Sequence, residues 1–316
     1  MKHLFQSRNN RLLYFIKAHA RRLYPSSLLS LDLNKLQQSI DGFDEVALYE
    51  RVNYYNKLTS KFTLSSSESS INDMRKAEDG IYFLDLIEYA RYFSQEYKLP
   101  YLFGDITHVP DIPSIVKSRP VSDNTNSILI NMDKVRHFYF VKNDIEFKNK
   151  QNKLVWRGSV SQEHRVKFMQ KYFNHSPLID VGDFSKGRSP NPQWYVPFMS
   201  INQQLKNKFI LAIEGNDVAT NTKWIMSSNS LCFMTKPKYE TWFMEGQLIP
   251  GFHYVLIKDD YSDIEQKIDY YIDNTSEAEE IISNAQRYIS QFRDNKVEDW
   301  VHFKVLEKYF SLSGQM

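Results

Sequence analysis

The chain has 316 residues, 42% of them hydrophobic and 15% aromatic, which is ample for two folded domains and a substantial core. Its 40 Lys and Arg against 38 Asp and Glu leave a net charge of +2, which argues against a dedicated nucleic-acid binder. A single cysteine, Cys232, excludes an internal disulfide, and no apolar run is long enough to predict a transmembrane helix.

Residues 1–31 carry Lys2, Arg8, Arg11, Lys17, Arg21 and Arg22, and no acid precedes Asp32. The short apolar patch between these cations lacks a cleavage site, so no secretory signal is expected. Leu12, Phe15, Ile16, Ala20 and Leu23 share one helical face. Two readings fit: a basic amphipathic helix on an anionic membrane surface, or a surface helix packing its apolar stripe on its own domain. Residues 59–70 are serine-rich and read as a loop, and the apolar spacing over 81–97 predicts a helix. Leu99–Phe103 reads as a strand ending at Gly104-Asp105, and residues 127–132 and 135–141 as short strands or turns. The charged stretch 142–153 is the expected link between an N-terminal domain, 1–150, and a C-terminal one, 151–316, whose last helix is a candidate to return to the first.

From there the pattern alternates. Residues 153–156 predict a strand followed by the turn Arg157-Gly158-Ser159, then a helix over 161–173 and a strand over 178–182. Further strands are expected at 209–213 and 230–235, and helices at 263–272, 276–292 and 297–310. Such alternation points to an α/β fold with a parallel sheet.

The segment FILAIEGNDVATNTKWIMSSNSL, Phe209 to Leu231, is the most telling. An apolar strand runs into Glu214-Gly215; Asn216, Asp217 and Thr220 offer helix caps, and Lys223 follows. A strand, a glycine turn and a helix start form an anion site, because free N–H groups and the helix dipole favour negative charge. The alternative is an ordinary strand-turn-helix unit, since neither a P-loop nor a G-x-G-x-x-G pattern is present.

This segment, EGNDVATNTKWIMSSNSL, together with GFHYVLIKDDYSDIEQKI and VWRGSVS, resembles glycosyltransferase family 90. The family includes bacterial lipopolysaccharide core glycosyltransferases, capsule-associated proteins and Rumi-type protein O-glucosyltransferases. The blocks GDITHVPDIPSIVKSRPV, RHFYF, VWRGS, EGND and HYV occur in the family's order, from Tyr101 to the C-terminus, and look most like the bacterial members. The resemblance implies a GT-B architecture, two Rossmann-like domains facing a central cleft, with an acceptor-side N-terminal domain and a nucleotide-sugar-binding C-terminal one. It implies inverting transfer of a hexose, glucose or galactose, from a UDP-sugar to a lipopolysaccharide core sugar, in the cytoplasm, with peripheral contact to the inner membrane as an option. A protein O-glycosyltransferase, a capsule xylosyltransferase and a non-catalytic carbohydrate-binding protein are the rival readings.

On that resemblance Asp105 is the expected general base, since it ends a strand and opens a proline-containing loop. Asp111 is its rival and otherwise an acceptor contact, and either aspartate is also an ordinary turn former. Arg157, Gly158 and Ser159 are expected at the donor, with Gly215, Asn216, Asp217, Thr220, Asn221 and Lys223. Asn221 stands where Rumi-type relatives carry an arginine, which shifts charge compensation towards Lys223. Glu240 and Glu245 are both candidates for hydroxyls of the donor, and Lys117 and Arg119 for phosphates of the acceptor. The eight histidines form no H-x-x-x-H or H-E-x-x-H pair, so neither a metal nor a cofactor besides the donor is expected.

Overall fold

The computed structural model describes residues 11–22, 29–38, 40–77 and 80–316. They group into two units. The first comprises the described residues up to Arg136, with Lys238–Gly246 and Gln291–Met316; the second comprises His137–Pro237 and Gln247–Ser290. The division thus falls at Arg136 rather than near residue 150, and two later segments return to the first unit.

Numbered along the chain, the first unit holds helices α1 (Arg11–Arg22), α2 (Leu29–Gln38), α3 (Glu45–Tyr55), α4 (Ile71–Ala77) and α5 (Ile81–Ala90), then strands β1 (Tyr101–Leu102), β2 (Ser114–Val116), β3 (Ser118–Pro120) and β4 (Ser127–Leu129). The short α6 (Lys134–His137) ends this stretch. Strands β1, β2 and β4 lie side by side and parallel, so the first half is α/β as well. Strand β9 (Tyr239–Thr241) pairs antiparallel with β3, which puts Arg119 opposite Glu240. The C-terminal helix α12 (Asn295–Leu312) is capped by Asp294, which accepts from the Lys296 and Val297 amides. It buries Val297, Trp300, Val301, Val305 and Tyr309 within this unit, an i, i+3, i+4 face that makes it a core helix.

Helix α5 stops at Ala90, short of the predicted Tyr97. The carbonyls of Gln95 and Tyr97 accept instead from the Asn72 and Ile71 amides, which ties this turn to the start of α4. The stretch 135–141 contains the end of α6 and no strand.

The second unit contains β5 (Gln151–Gly158), α7 (Glu163–Tyr172), β6 (Ile179–Asp183), α8 (Ile201–Gln204), β7 (Asn207–Ala212), α9 (Thr222–Met226), β8 (Leu231–Met234), β10 (Val255–Leu256), α10 (Ile264–Asp273) and α11 (Thr275–Ser290). Its five strands run in the order β10-β8-β7-β5-β6, all parallel. Strand β7, NKFILA, is buried along its whole length, the composition a sheet covered on both faces demands. Phe168 and Tyr172 of α7, Ile264 and Ile268 of α10, and Ala278, Ile281 and Ile282 of α11 join the strands in one core.

This strand order has a consequence for ligands. In chain order the first strand of the sheet, β5, sits between the second, β6, and the third, β7. Connections therefore leave β5 and β7 towards opposite faces, and the carboxyl ends of these two strands are where sheets of this order bind ligands.

Candidate active site

The residues beyond β5 and β7 are Arg157-Gly158-Ser159 and Glu214-Gly215-Asn216, the two turns singled out in the sequence. Arg165, on α7, joins them. Its Nε donates to the Glu214 carbonyl at 2.8 Å, Nη2 to the Ile213 carbonyl at 2.9 Å and Nη1 to the Ser159 carbonyl at 2.9 Å. Burial pulls this guanidinium down to about 10. His164 Nε2 lies 2.9 Å from the Glu214 carbonyl, and Gln162 Nε2 donates to Asn216 Oδ1 at 3.1 Å. Sequence reasoning missed Arg165, because a single arginine on an amphipathic helix gives no local sign that it bridges two loops.

Several expected donor contacts take different roles. Arg157 turns its fork inward: Nη2 meets Asp180 Oδ1 at 2.6 Å, and Nη1 donates to the Trp156 and Asp180 carbonyls. Its Nε is buried without a hydrogen-bond partner, as is Oδ2 of the fully buried Asp183 at the end of β6. Gly158 is required for packing, since a Cβ there would stand 2.2 Å from the Trp156 ring. A Cβ on Gly215 would stand in ordinary contact, 3.6 Å from Arg165 Nη2 and from the Val218 carbonyl oxygen, so packing alone does not require glycine there.

The expected helix start after Gly215 is corrected. Residues 216–218 form a bend, and α9 begins only at Thr222 and lasts five residues. One turn carries little macrodipole. Asp217 caps no helix; its Oδ1 accepts from the Val218 amide at 2.6 Å. Thr220 and Asn216 are exposed, and Asn221 Nδ2 donates to the Leu211 carbonyl at 2.9 Å, pinning this turn to β7. Lys223 is fully buried, its Nζ 5.8 Å from the Phe138 ring centroid.

In the first unit the chemistry gathers at the carboxyl edge of the β1-β2-β4 sheet. Gly104, with φ at +113°, turns the chain out of β1 and delivers Asp105. Asp105 is about a quarter exposed and forms an ion pair with Lys117, which follows β2 and is buried. Asp133 lies beyond β4 and pairs with Arg136 at 2.7 Å. Burial raises the Asp133 carboxyl above its usual range and nearby Asp105 adds to this, while Arg136, Lys117 and Arg11 oppose it. Three strand ends thus present Asp105, Lys117 and Asp133 in a row. The sequence signal for Asp133 was the same as for Asp105, a carboxylate closing an apolar run, between two stretches, 127–132 and 135–141, read as short strands or turns.

Lys117 is therefore engaged with Asp105, and Arg119 with the protein interior. Arg119 and Glu240 are wholly buried and meet at 2.8 Å. The other guanidinium nitrogens of Arg119 donate to the Tyr54, Tyr55 and Ser127 carbonyls. Glu240 also takes the Tyr54 hydroxyl and the Asn124 amide. Glu245 accepts from the Thr241 amide and hydroxyl. Both glutamates belong to the first unit and fasten Lys238–Gly246 within it. Asp111 is exposed and lines a cavity of about 560 Å³ with Glu68, Tyr101 and His108. Among the described residues, no three His, Cys, Asp or Glu side chains are grouped closely enough to hold a metal ion.

Residues 130–314 match the family described as Glycosyl transferase family 90. The O-glucosyltransferase LpsA of Dichelobacter nodosus is 40% identical over 307 residues, 96% of each chain. Protein O-glucosyltransferase 3 of Homo sapiens is 26% identical over 165 residues, 51% of this chain and 32% of that protein. Protein O-glucosyltransferase 2 of Danio rerio is 24% identical over 171 residues, 52% of this chain and 34% of that protein. The family match spans more than half of the chain and the bacterial relative nearly all of it: the protein belongs to glycosyl transferase family 90 and is a glycosyltransferase.

Proposed function

We propose that this enzyme transfers glucose from UDP-glucose, with inversion, to a sugar of a lipopolysaccharide core on the cytoplasmic side of the membrane. The observation that carries the donor half is the strand order of the second unit, with its crevice at Arg157–Ser159 and Glu214–Asn216. Gly215, without a side chain, lets the backbone approach the diphosphate, and Arg157 and Arg165 place positive charge at the two strand ends. Glucose is preferred over galactose because three relatives carry glucosyl transfer in their names. The lipopolysaccharide acceptor follows from the likeness to the bacterial members, and the chain's match to nearly the whole bacterial relative supports it.

The division of labour is that of a GT-B enzyme: the second unit binds the nucleotide, and the first supplies Asp105 as the base. Asp105 takes the proton of the acceptor hydroxyl as the oxygen attacks the anomeric carbon and the UDP bond breaks. Lys117 holds the carboxylate in one orientation. The cavity lined by Tyr101, His108 and Asp111 offers an aromatic face and polar groups, which suit an acceptor sugar.

Isothermal titration tests the donor site. Gly215→Ala is expected to weaken UDP binding by about tenfold or more while leaving the melting temperature nearly unchanged, because the added Cβ meets the protein only at ordinary contact distance yet keeps the diphosphate off the backbone. Unchanged UDP affinity places the diphosphate elsewhere. Charge compensation by arginines requires no metal, so transfer is expected to survive exhaustive chelation. Loss of activity with EDTA, restored by manganese or magnesium, contradicts this.

A further inference from the structure

Helix α1 packs on its own unit through one face only. The Tyr14 hydroxyl donates to Asp85 at 2.7 Å, Ala18 is buried, and Arg21 meets Glu88 at 2.8 Å. These three positions lie on one side of the helix. The opposite side carries Leu12, Phe15 and Ile16, exposed by 71%, 37% and 56%. The structure thus decides against an apolar stripe packed on the protein, for it is the apolar stripe that faces solvent. Leu23, at the far end of the predicted face, and the cations Lys2 and Arg8 lie outside the described residues.

The charges are arranged around that exposed stripe. At 100° per residue, Lys17 falls on one flank and Arg11 on the other, and α1 contains no acidic residue. An apolar ridge flanked on both sides by cations lets the side chains enter the acyl region while the charged ends reach the headgroups. A partner protein or a second copy of this near-neutral chain has no comparable need for a uniformly cationic rim. Charge complementarity singles out an anionic lipid surface.

We propose that α1 docks this protein on an anionic phospholipid bilayer, with Leu12, Phe15 and Ile16 inserted at the headgroup level and Arg11 and Lys17 on the phosphates. The Tyr14, Ala18 and Arg21 side holds the unit against the docked helix, with the helix axis parallel to the membrane. This inference is independent of how the donor is bound.

The test is sedimentation of the full chain with phosphatidylcholine vesicles, with and without phosphatidylglycerol. Wild type is expected to partition onto phosphatidylglycerol vesicles and to be released by salt. Arg11→Ser with Lys17→Ser should lose about 25-fold of that partition, about fivefold per cation, and little on neutral vesicles. Leu12→Ser with Ile16→Ser should lose at least about tenfold on both kinds of vesicle. Melting temperature and UDP affinity report whether each variant remains folded. Failure of the wild type to bind phosphatidylglycerol vesicles overturns the proposal, as does equal binding by the folded serine variants. A dimer seen by light scattering and dissolved by the Leu12→Ser/Ile16→Ser pair also overturns it, in favour of a second copy on this face.

Discussion

Asp105→Asn is expected to slow glycosyl transfer by about 10²–10⁴-fold while UDP-glucose affinity stays within about twofold. The amide has nearly the same shape as the carboxylate but does not accept the acceptor's proton. Because Asp105 stands on the first unit and the proposed nucleotide crevice is built from the second, binding and chemistry are expected to separate in this variant. Initial rates and titration calorimetry on the same preparation read both. Asp133→Asn is the control: it sits in the same row but is buried and paired with Arg136, so a smaller loss is expected. If Asp105→Asn keeps turnover within a few-fold and Asp133→Asn abolishes it, the base is Asp133. If both remain active, the exposed Asp111 takes that place.

Arg119→Ala is expected to lower stability by about 3–5 kcal/mol, because it leaves the Glu240 carboxylate buried without its cation. The loss is compounded by three carbonyls, of Tyr54, Tyr55 and Ser127, that lose a charged donor. Chemical denaturation of the variant and of Arg119→Met, which keeps much of the side-chain volume, checks this. Both should fall well below wild type, with the acceptor KM of the surviving folded fraction unchanged. A variant of native stability with weakened acceptor binding would return Arg119 to the acceptor site.

What could be read from the sequence divides along a physical line. Strand β7 was legible as a continuous apolar run, and helices α7 and α10 to α12 because their burial is periodic and local; the predicted bounds differ by a few residues at most. The turns at Arg157 and Gly215 were legible as strand ends. Their convergence on one crevice was not, because strand order depends on which strands pair, and no residue in β5 announces that β7 will lie beside it. The fate of Glu240 shows the same limit. In YETWFMEG a glutamate between aromatics resembles a ligand contact, and only the pairing of β9 with β3 reveals Arg119 directly opposite. The capping residues Asn216, Asp217 and Thr220 misled for a different reason. Side chains that cap helices also stabilise turns, and here Asp217 closes onto the Val218 amide, delaying the helix to Thr222.

The most direct measurement is the anomeric configuration of the product. The enzyme is incubated with UDP-glucose and deacylated lipopolysaccharide core, and the new linkage is read from the anomeric proton coupling by NMR. UDP-glucose is an α-glycoside, so displacement by a hydroxyl deprotonated at Asp105 gives a β-glucoside with release of one UDP per bond formed. An α-linked product, or transfer that does not release UDP, contradicts the account.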